Sequence, residues 1–352
     1  MSITAKNTVN APSATATASP VNRLVHQVAR PRGAARAEDF AFVSEPLPRV
    51  VAGTALVENL YLSVDPYMRE MMDDGWALHA PLEGRSVGRV VESGTPELAV
   101  GDLVFHRHAW RTHALVRPEE ARLLPRYEGV PLTAHLGILG GTGLSAWVGL
   151  TRVARLQPGE DLFVSAAAGG VGTAAGRLAR HLGARRIVGS TGSPEKARRL
   201  TEELGFDAAF DYHQGQVADL LAKAAPDGVD VAFENVGGDH LEGAIAALRP
   251  HGRIAWCGAV AQYDRADQPP AAPRNLYDVV GKGLRLEGFL VREHLDARSE
   301  LEDFAVPLLR SGALVSTETV VDGFDRIVEG FLGMMHGANT GKTIVRVVPE
   351  AA

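Results

Sequence analysis

A strand-like run, Asp161-Leu162-Phe163-Val164-Ser165, leads into the small-residue loop Ala167-Ala168-Gly169-Gly170-Val171-Gly172. That loop opens a stretch with apolar residues at Val171, Ala174, Ala175, Leu178 and Leu182, the stripe of a helix lying on a sheet. A strand that turns through glycines into a helix leaves few folds open. The helix must cross back over the sheet, and the next strand then runs parallel to the first. The alternation continues: Arg186-Ile187-Val188-Gly189 reads as a second strand and Ser193-Pro194-Glu195-Lys196 as the start of a second helix. Ser193 suits the N-cap, Pro194 the first helical position, and Gly205 follows the last apolar residue, Leu204. Further strands are expected over 208–210, 229–233, 253–256 and 284–291, with a helix over 239–248. The pattern is that of an α/β fold with a doubly wound parallel sheet.

Residues 21–139 have a different texture. Short runs such as Ala55-Leu56-Val57-Glu58, Val87-Gly88-Arg89-Val90-Val91 and Asp102-Leu103-Val104-Phe105 alternate with Gly and Pro, as in a compact β-rich unit. From about residue 313 strand-like and loop-like texture returns, with Lys342-Thr343-Ile344-Val345-Arg346-Val347 as a terminal strand. A chain of 352 residues is long enough for two domains. Residues 1–20, rich in Ala, Ser, Thr and Asn, lack the contiguous apolar stretch of a secretory signal and read as a disordered tail. No apolar run approaches the roughly 18 residues that span a bilayer. With 36 Lys+Arg against 42 Asp+Glu, a formal charge of −6, nothing favours nucleic acid or an anionic membrane as partner. A cytoplasmic protein acting on a small molecule is expected.

The loop at 167–172 is an A-x-G-x-x-G variant of the dinucleotide fingerprint. Small residues let the backbone approach a pyrophosphate, and the helix N-terminus supplies free N–H groups and positive dipole. Ala167, Gly169, Gly170, Val171 and Gly172 are therefore candidate cofactor residues. An NAD site places an acid at the end of the second strand for the ribose hydroxyls. Here that end reads Gly189-Ser190-Thr191-Gly192-Ser193, and the cation Lys196 follows within one helical turn. Missing repulsion and a close Lys favour a 2′-phosphate, hence NADP, with Gly192, Ser193 and Lys196 as expected contacts.

Other dehydrogenase schemes fail on residue content. None of Tyr61, Tyr67, Tyr127, Tyr212, Tyr263 or Tyr277 has Lys four residues later, so the Tyr-x-x-x-Lys pair of short-chain reductases is absent. Cys257 is the single cysteine, and the usual catalytic and structural zinc sets cannot be assembled from it. His106, His108 and His113 lack a nearby carboxylate partner in sequence and read as surface or loop residues, so no metal is expected.

Several stretches together resemble the zinc-free branch of the medium-chain dehydrogenase/reductase superfamily, specifically its prostaglandin reductase and alkenal reductase (leukotriene dehydrogenase-like) family. They are Leu62-Ser63-Val64-Asp65-Pro66-Tyr67-Met68-Arg69, Gly143-Leu144-Ser145-Ala146-Trp147-Val148-Gly149-Leu150, the Ala-Gly loop, and Glu234-Asn235-Val236-Gly237-Gly238. Cys257-Gly258-Ala259-Val260-Ala261-Gln262-Tyr263, Glu287-Gly288-Phe289-Leu290-Val291 and Asn339-Thr340-Gly341-Lys342-Thr343 complete the set, and the resemblance runs over 21–348. It implies a GroES-like catalytic domain from 21–138 and 313–352 and a Rossmann NADP-binding domain over 139–312. It implies NADPH with Lys196 and Tyr212 at the 2′-phosphate and Asn235 near the nicotinamide ribose. Asn339 and Gly341 would reach the cofactor from the other domain, while Cys257, Gly258, Ala259, Phe289, Leu290 and Val291 would line the nicotinamide end. Members are commonly dimers through the last Rossmann strand, here 284–291.

Two departures concern the substrate. Members often read Gly-Met-Pro-Gly where this chain has Gly140-Gly141-Thr142-Gly143, so a bulky side chain beside the nicotinamide is missing. Gly281-Lys282-Gly283 stands where some mammalian members carry a tyrosine, and Tyr277 is out of register. The implied reaction is NADPH-dependent reduction of the C=C bond of α,β-unsaturated aldehydes or ketones by hydride transfer to the β-carbon. Charge then develops on the carbonyl oxygen as an enolate, which needs hydrogen-bond donors rather than a strong base. Tyr67 and Tyr263 are the candidate catalytic donors. The alternatives are quinone reduction and a non-catalytic NADPH-binding protein of the same fold.

Overall fold

The computed structural model describes residues 21–264 and 271–347. The expected tail over 1–20 lies outside the described residues. A parallel six-stranded sheet runs in the order Ala208–Asp211, Arg186–Thr191, Asp161–Val164, Val229–Glu234, Leu248–Trp256, Arg285–Gly288. Every residue of Asp161–Val164 is buried, as a central strand covered on both faces requires. Helices Gly170–His181, Pro194–Glu202, Val217–Ala224 and Gly238–Ala247 connect the strands. The fold is the expected Rossmann arrangement. Strand order reverses between Asp161–Val164 and Val229–Glu234, so the crevice where a dinucleotide binds opens at their C-terminal ends. There Asn235 donates its backbone N–H to Ser165 Oγ at 2.7 Å.

The second sheet draws on both chain ends, as a GroES-like unit does. Its order is Glu318–Asp322, Lys342–Arg346, Ala55–Ser63, Ser86–Ser93, Leu103–His106, Arg122–Leu123, with His113–Val116 also paired to Ala55–Ser63. Val21–Gln27 and Phe40–Pro46 form a separate antiparallel pair.

Three expectations need correction. The segment after residue 313 is not only strand and loop, because Ile327–Met335 is a helix. The parallel pairing of Glu318–Asp322 with Lys342–Arg346 demands a crossover, and this helix provides it, burying Ile327, Val328 and Phe331. The β-rich reading of 21–139 also missed helical turns over Tyr67–Glu70 and Met71–Gly75. Lastly, the strand expected over 284–291 is only Arg285–Gly288, since Phe289 turns its ring inward against Phe233 with centroids 6.4 Å apart.

Candidate active site

The phosphate-binding loop is built by close packing. A Cβ on Gly172 would strike the Ala166 carbonyl and lie 2.7 Å from Ala167 Cα, so only glycine lets helix Gly170–His181 start this near the strand. The first N–H groups of this helix have no intrahelical acceptor and face the mouth of the crevice. The second domain closes over them. Gly341, at φ +72°, donates its N–H to the Ala168 carbonyl at 2.8 Å and pairs with Gly169 in an isolated bridge. Asn339 Nδ2 donates to the Gly341 carbonyl at 2.7 Å, so its side chain holds this turn.

At the end of strand Arg186–Thr191, Ser190 and Thr191 are buried, and Ser190 Oγ has no partner. Ser193 caps helix Pro194–Glu202 by accepting from the Lys196 N–H at 3.2 Å. Half-buried Lys196 lends its ammonium to the Gly337 carbonyl. Burial, with Arg199 beside it, moves the Lys196 pKa down. Arg199, one turn on, donates to Thr340 Oγ1 at 3.1 Å. Tyr212 leans over Gly192, its hydroxyl 3.4 Å from where a Cβ would stand there. A cradle with two cations and no carboxylate at the strand end fits a 2′-phosphate.

At the opposite end, Glu234 is fully buried. Its Oε1 accepts from the N–H groups of Val236 (2.7 Å) and Gly237 (2.8 Å), while Oε2 has no hydrogen-bond partner. Burial pushes its pKa up to about 7. Asn235 Nδ2 donates to the Ser165 carbonyl at 2.8 Å. The Cys257 N–H donates to the Glu234 carbonyl at 2.8 Å, which sets the Cys257-Gly258-Ala259 turn beside this loop. Burial pushes the Cys257 thiol up to about 12, so it stays protonated. Phe289 packs into the Rossmann core, with Val291 also against it, and Leu290 is exposed.

Both candidate tyrosines stand at the boundary between the two domains. Tyr263 lies with its hydroxyl 3.3 Å from the Cβ position of Gly258, and burial pushes its pKa up to about 12. Arg69, two residues beyond Tyr67, pairs with Asp264, which follows Tyr263, at 3.3 Å. Helix Tyr67–Glu70 and the end of the Cys257–Asp264 segment therefore face each other across the cleft. Burial also pushes the Tyr67 phenol well above its ordinary value. Its hydroxyl donates to Glu83 Oε2 at 3.5 Å, and its ring lies under Arg85, with Cζ 5.1 Å from the centroid.

Beneath Tyr67 is a cluster that sequence reasoning missed. Asp65 accepts from Ser63 Oγ (2.6 Å), pairs with Arg85 Nη1 (3.1 Å) and pairs with Lys342 Nζ (3.1 Å). Burial opposes the Asp65 charge, yet Lys342 and Arg85 outweigh it and hold the carboxyl below the usual range. Lys342 also donates to the Val64 carbonyl. All these residues except Ser63 and Val64 are charged, but no spacing rule joins positions so far apart in the chain.

Among the described residues no group of three or more His, Cys, Asp or Glu is placed to hold a metal ion. His106 is buried against Ser86, and burial lowers its pKa to about 3. The family description "N-terminal domain of oxidoreductase" matches residues 23–124, and "Zinc-binding dehydrogenase" matches residues 170–311. The 2-alkenal reductase (NADP(+)-dependent) of Nicotiana tabacum is 36% identical over 84% of this chain and 88% of its own. Prostaglandin reductase 1 of Rattus norvegicus is 36% identical over 88% of this chain and 94% of its own. The chain belongs to the prostaglandin reductase and alkenal reductase family. This reductase is also similar to the crystal structure of CurA in complex with NADPH from Vibrio vulnificus. That likeness has a TM-score of 0.87 and 29% identity, and covers 93% of this chain and 99% of that one.

Within the reductase, the motif residues separate into two groups by distance along the chain. Ala167 to Gly172, Gly192, Ser193 and Lys196 come together as local sequence implies, and Tyr212 stands beside Gly192, near where the resemblance puts it. The pairing of Lys342 with Asp65, of Arg69 with Asp264 and of Arg199 with Thr340 needed the fold. The one available signal was that Asp65, Arg69 and Lys342 all lie inside motifs that carry the resemblance.

Proposed function

We propose that this reductase is an NADPH-dependent enone and alkenal reductase, an oxidoreductase that reduces the C=C bond of α,β-unsaturated aldehydes and ketones. NADPH, when bound, supplies the hydride that adds to the β-carbon. The observation that carries the reading is the pair of phenols, Tyr67 and Tyr263, both with pKa values raised by burial and both next to residues of the Arg69–Asp264 pair that joins the two domains. Both stay protonated through neutral pH, so each can donate to a carbonyl oxygen as it takes up enolate charge, Tyr67 by turning its O–H away from Glu83. The glycine loop and the helix start of Gly170–His181 would hold the pyrophosphate, with Lys196, Arg199, Tyr212 and Ser193 at the 2′-phosphate. Asn235 and the Cys257–Ala259 turn would meet the nicotinamide end. The Gly341 strap and the Arg69–Asp264 pair exclude water by keeping the two domains together.

No helix of the described residues is long and apolar enough to cross a membrane. We place the reductase in the cytoplasm, in keeping with the free thiol of the half-buried Cys257. We also infer a homodimer through the edge strand Arg285–Gly288, because Tyr277 (80% exposed) and Val280 (72%) lie in the short helix that leads to it. A screen of NADPH oxidation over linear enals, enones and quinones tests the function. Turnover highest on enals and enones is expected; turnover confined to quinones, or none with NADPH bound, would contradict it.

A further inference from the structure

The two edges of the Arg85 guanidinium are used differently. Nη1, on one edge, donates to Asp65 Oδ2 at 3.1 Å. The side-on edge, Nε with Nη2, has no protein hydrogen bond among the described residues. Neither atom is sealed from solvent, and the side chain keeps 19% of its exposure. Gly141 lies over the face of the guanidinium: a Cβ there would stand 3.1 Å from Nε, 3.2 Å from Cζ and 3.4 Å from Nη2. Glycine at this position leaves that face of the guanidinium uncovered.

Charge in the cluster is unbalanced. Arg85 and Lys342 share the single carboxylate of Asp65, two positive charges against one negative. Of the nearby acids, Glu83 pairs with Arg107 and Glu318 accepts from Ser316. Arg298 lies close enough for its charge to act against that of Arg85. The side-on edge of a guanidinium offers two parallel N–H groups at the spacing of the two oxygens of a carboxylate. A ketone oxygen needs only one such donor, and here the tyrosines can provide it.

We propose that Arg85 binds a carboxylate on the substrate, so that this site prefers enones and enals that carry an anionic carboxylate over neutral ones. The proposal rests on the enone reduction above and names the substrate class of that same site. With the carboxylate on Arg85, the conjugated carbonyl is held next to Tyr67, whose ring the guanidinium covers.

The test compares an enone whose chain ends in a carboxylate, separated from the C=C bond by methylenes, with its methyl ester. The acid-to-ester ratio of kcat/KM is expected to be ten or more in the wild type, the usual gain from a charge-assisted pair. Arg85→Gln should lower that ratio at least tenfold, mainly through KM of the acid. Arg85→Lys, which keeps the charge without the two parallel donors, should fall between. A wild-type ratio of one or less, or a ratio that both variants leave intact, would overturn the proposal. So would an Arg85→Gln effect that appears only in KM for NADPH. If neither compound is reduced although NADPH binds, the enone reading itself fails and takes this one with it. Reduction of the ester without the acid defeats this proposal alone.

Discussion

Lys196 and the two tyrosines give the most direct tests at the level of single residues. Lys196 is half-buried, and its neighbour Arg199 repels it, so an anion arriving there relieves a strained cation. Lys196→Ala should weaken NADPH by about 1–3 kcal/mol, the range for a hydrogen bond to a charged group. That is a rise in KM for NADPH of roughly tenfold or more, while NADH, without the phosphate, should change little. Turnover should hold, since this contact is the same in ground and transition states. Equal losses with both cofactors would contradict the assignment. Tyr67→Phe and Tyr263→Phe each remove one donor to the developing enolate, and losing both should lower kcat by about 10²–10³. Tyr263, pushed up to about 12, loses its proton only in strong alkali. The rate should therefore show no tyrosine titration between pH 6 and 9, and a limb in that window that vanishes in either Phe variant would count against these roles.

Elements were legible in the sequence to the extent that local pattern dictated them. The glycine loop, the Ser193 cap and the buried central strands follow from spacing and residue type, and the structure places them as expected. Ile327–Met335 was not legible, because Gly330 and Gly333 interrupt its apolar stripe and only the parallel pairing of its flanking strands demands a helix. The edge strand was read too long, since the apolar Phe289-Leu290-Val291 looks like strand until Phe289 finds the Rossmann core. Its remaining four residues, Arg285–Gly288, are largely exposed. An exposed sheet edge of this kind is expected to pair with a second copy. Light scattering should report a dimer, and Leu286→Pro, which removes a backbone donor from the strand, should yield monomer or aggregate. A wild-type monomer would contradict the inferred assembly.

Across the whole molecule, the site lies where two sheets meet, and its buried charges link catalysis to stability. Its glycine loop and the Ser193–Lys196 turn were readable because short runs of neighbouring residues build each of them. The Asp65–Arg85–Lys342 cluster was not, because it joins the start and end of the second sheet. Glu234 makes stability depend on pH in a direction that can be worked out. Its carboxyl ionises near 4.5 when exposed but near 7 in the fold, so the folded chain binds the extra proton between those values. Stability then falls as pH rises from about 4.5 to 7 and levels off above, by roughly 3 kcal/mol at 1.36 kcal/mol per unit. Glu234→Gln, which mimics the protonated acid, should flatten the decline in Tm between pH 5 and 8; parallel Tm curves would contradict this. Asp65 acts in the opposite sense, its contribution being lost only as pH falls below its ordinary value of 3.8. The reaction itself is tested most directly by following the label from NADPH deuterated at the transferred position into the product of a simple enone. The account predicts the saturated ketone with deuterium on the β-carbon. An allylic alcohol with deuterium on the carbonyl carbon, or a saturated ketone with no label at the β-carbon, would contradict it.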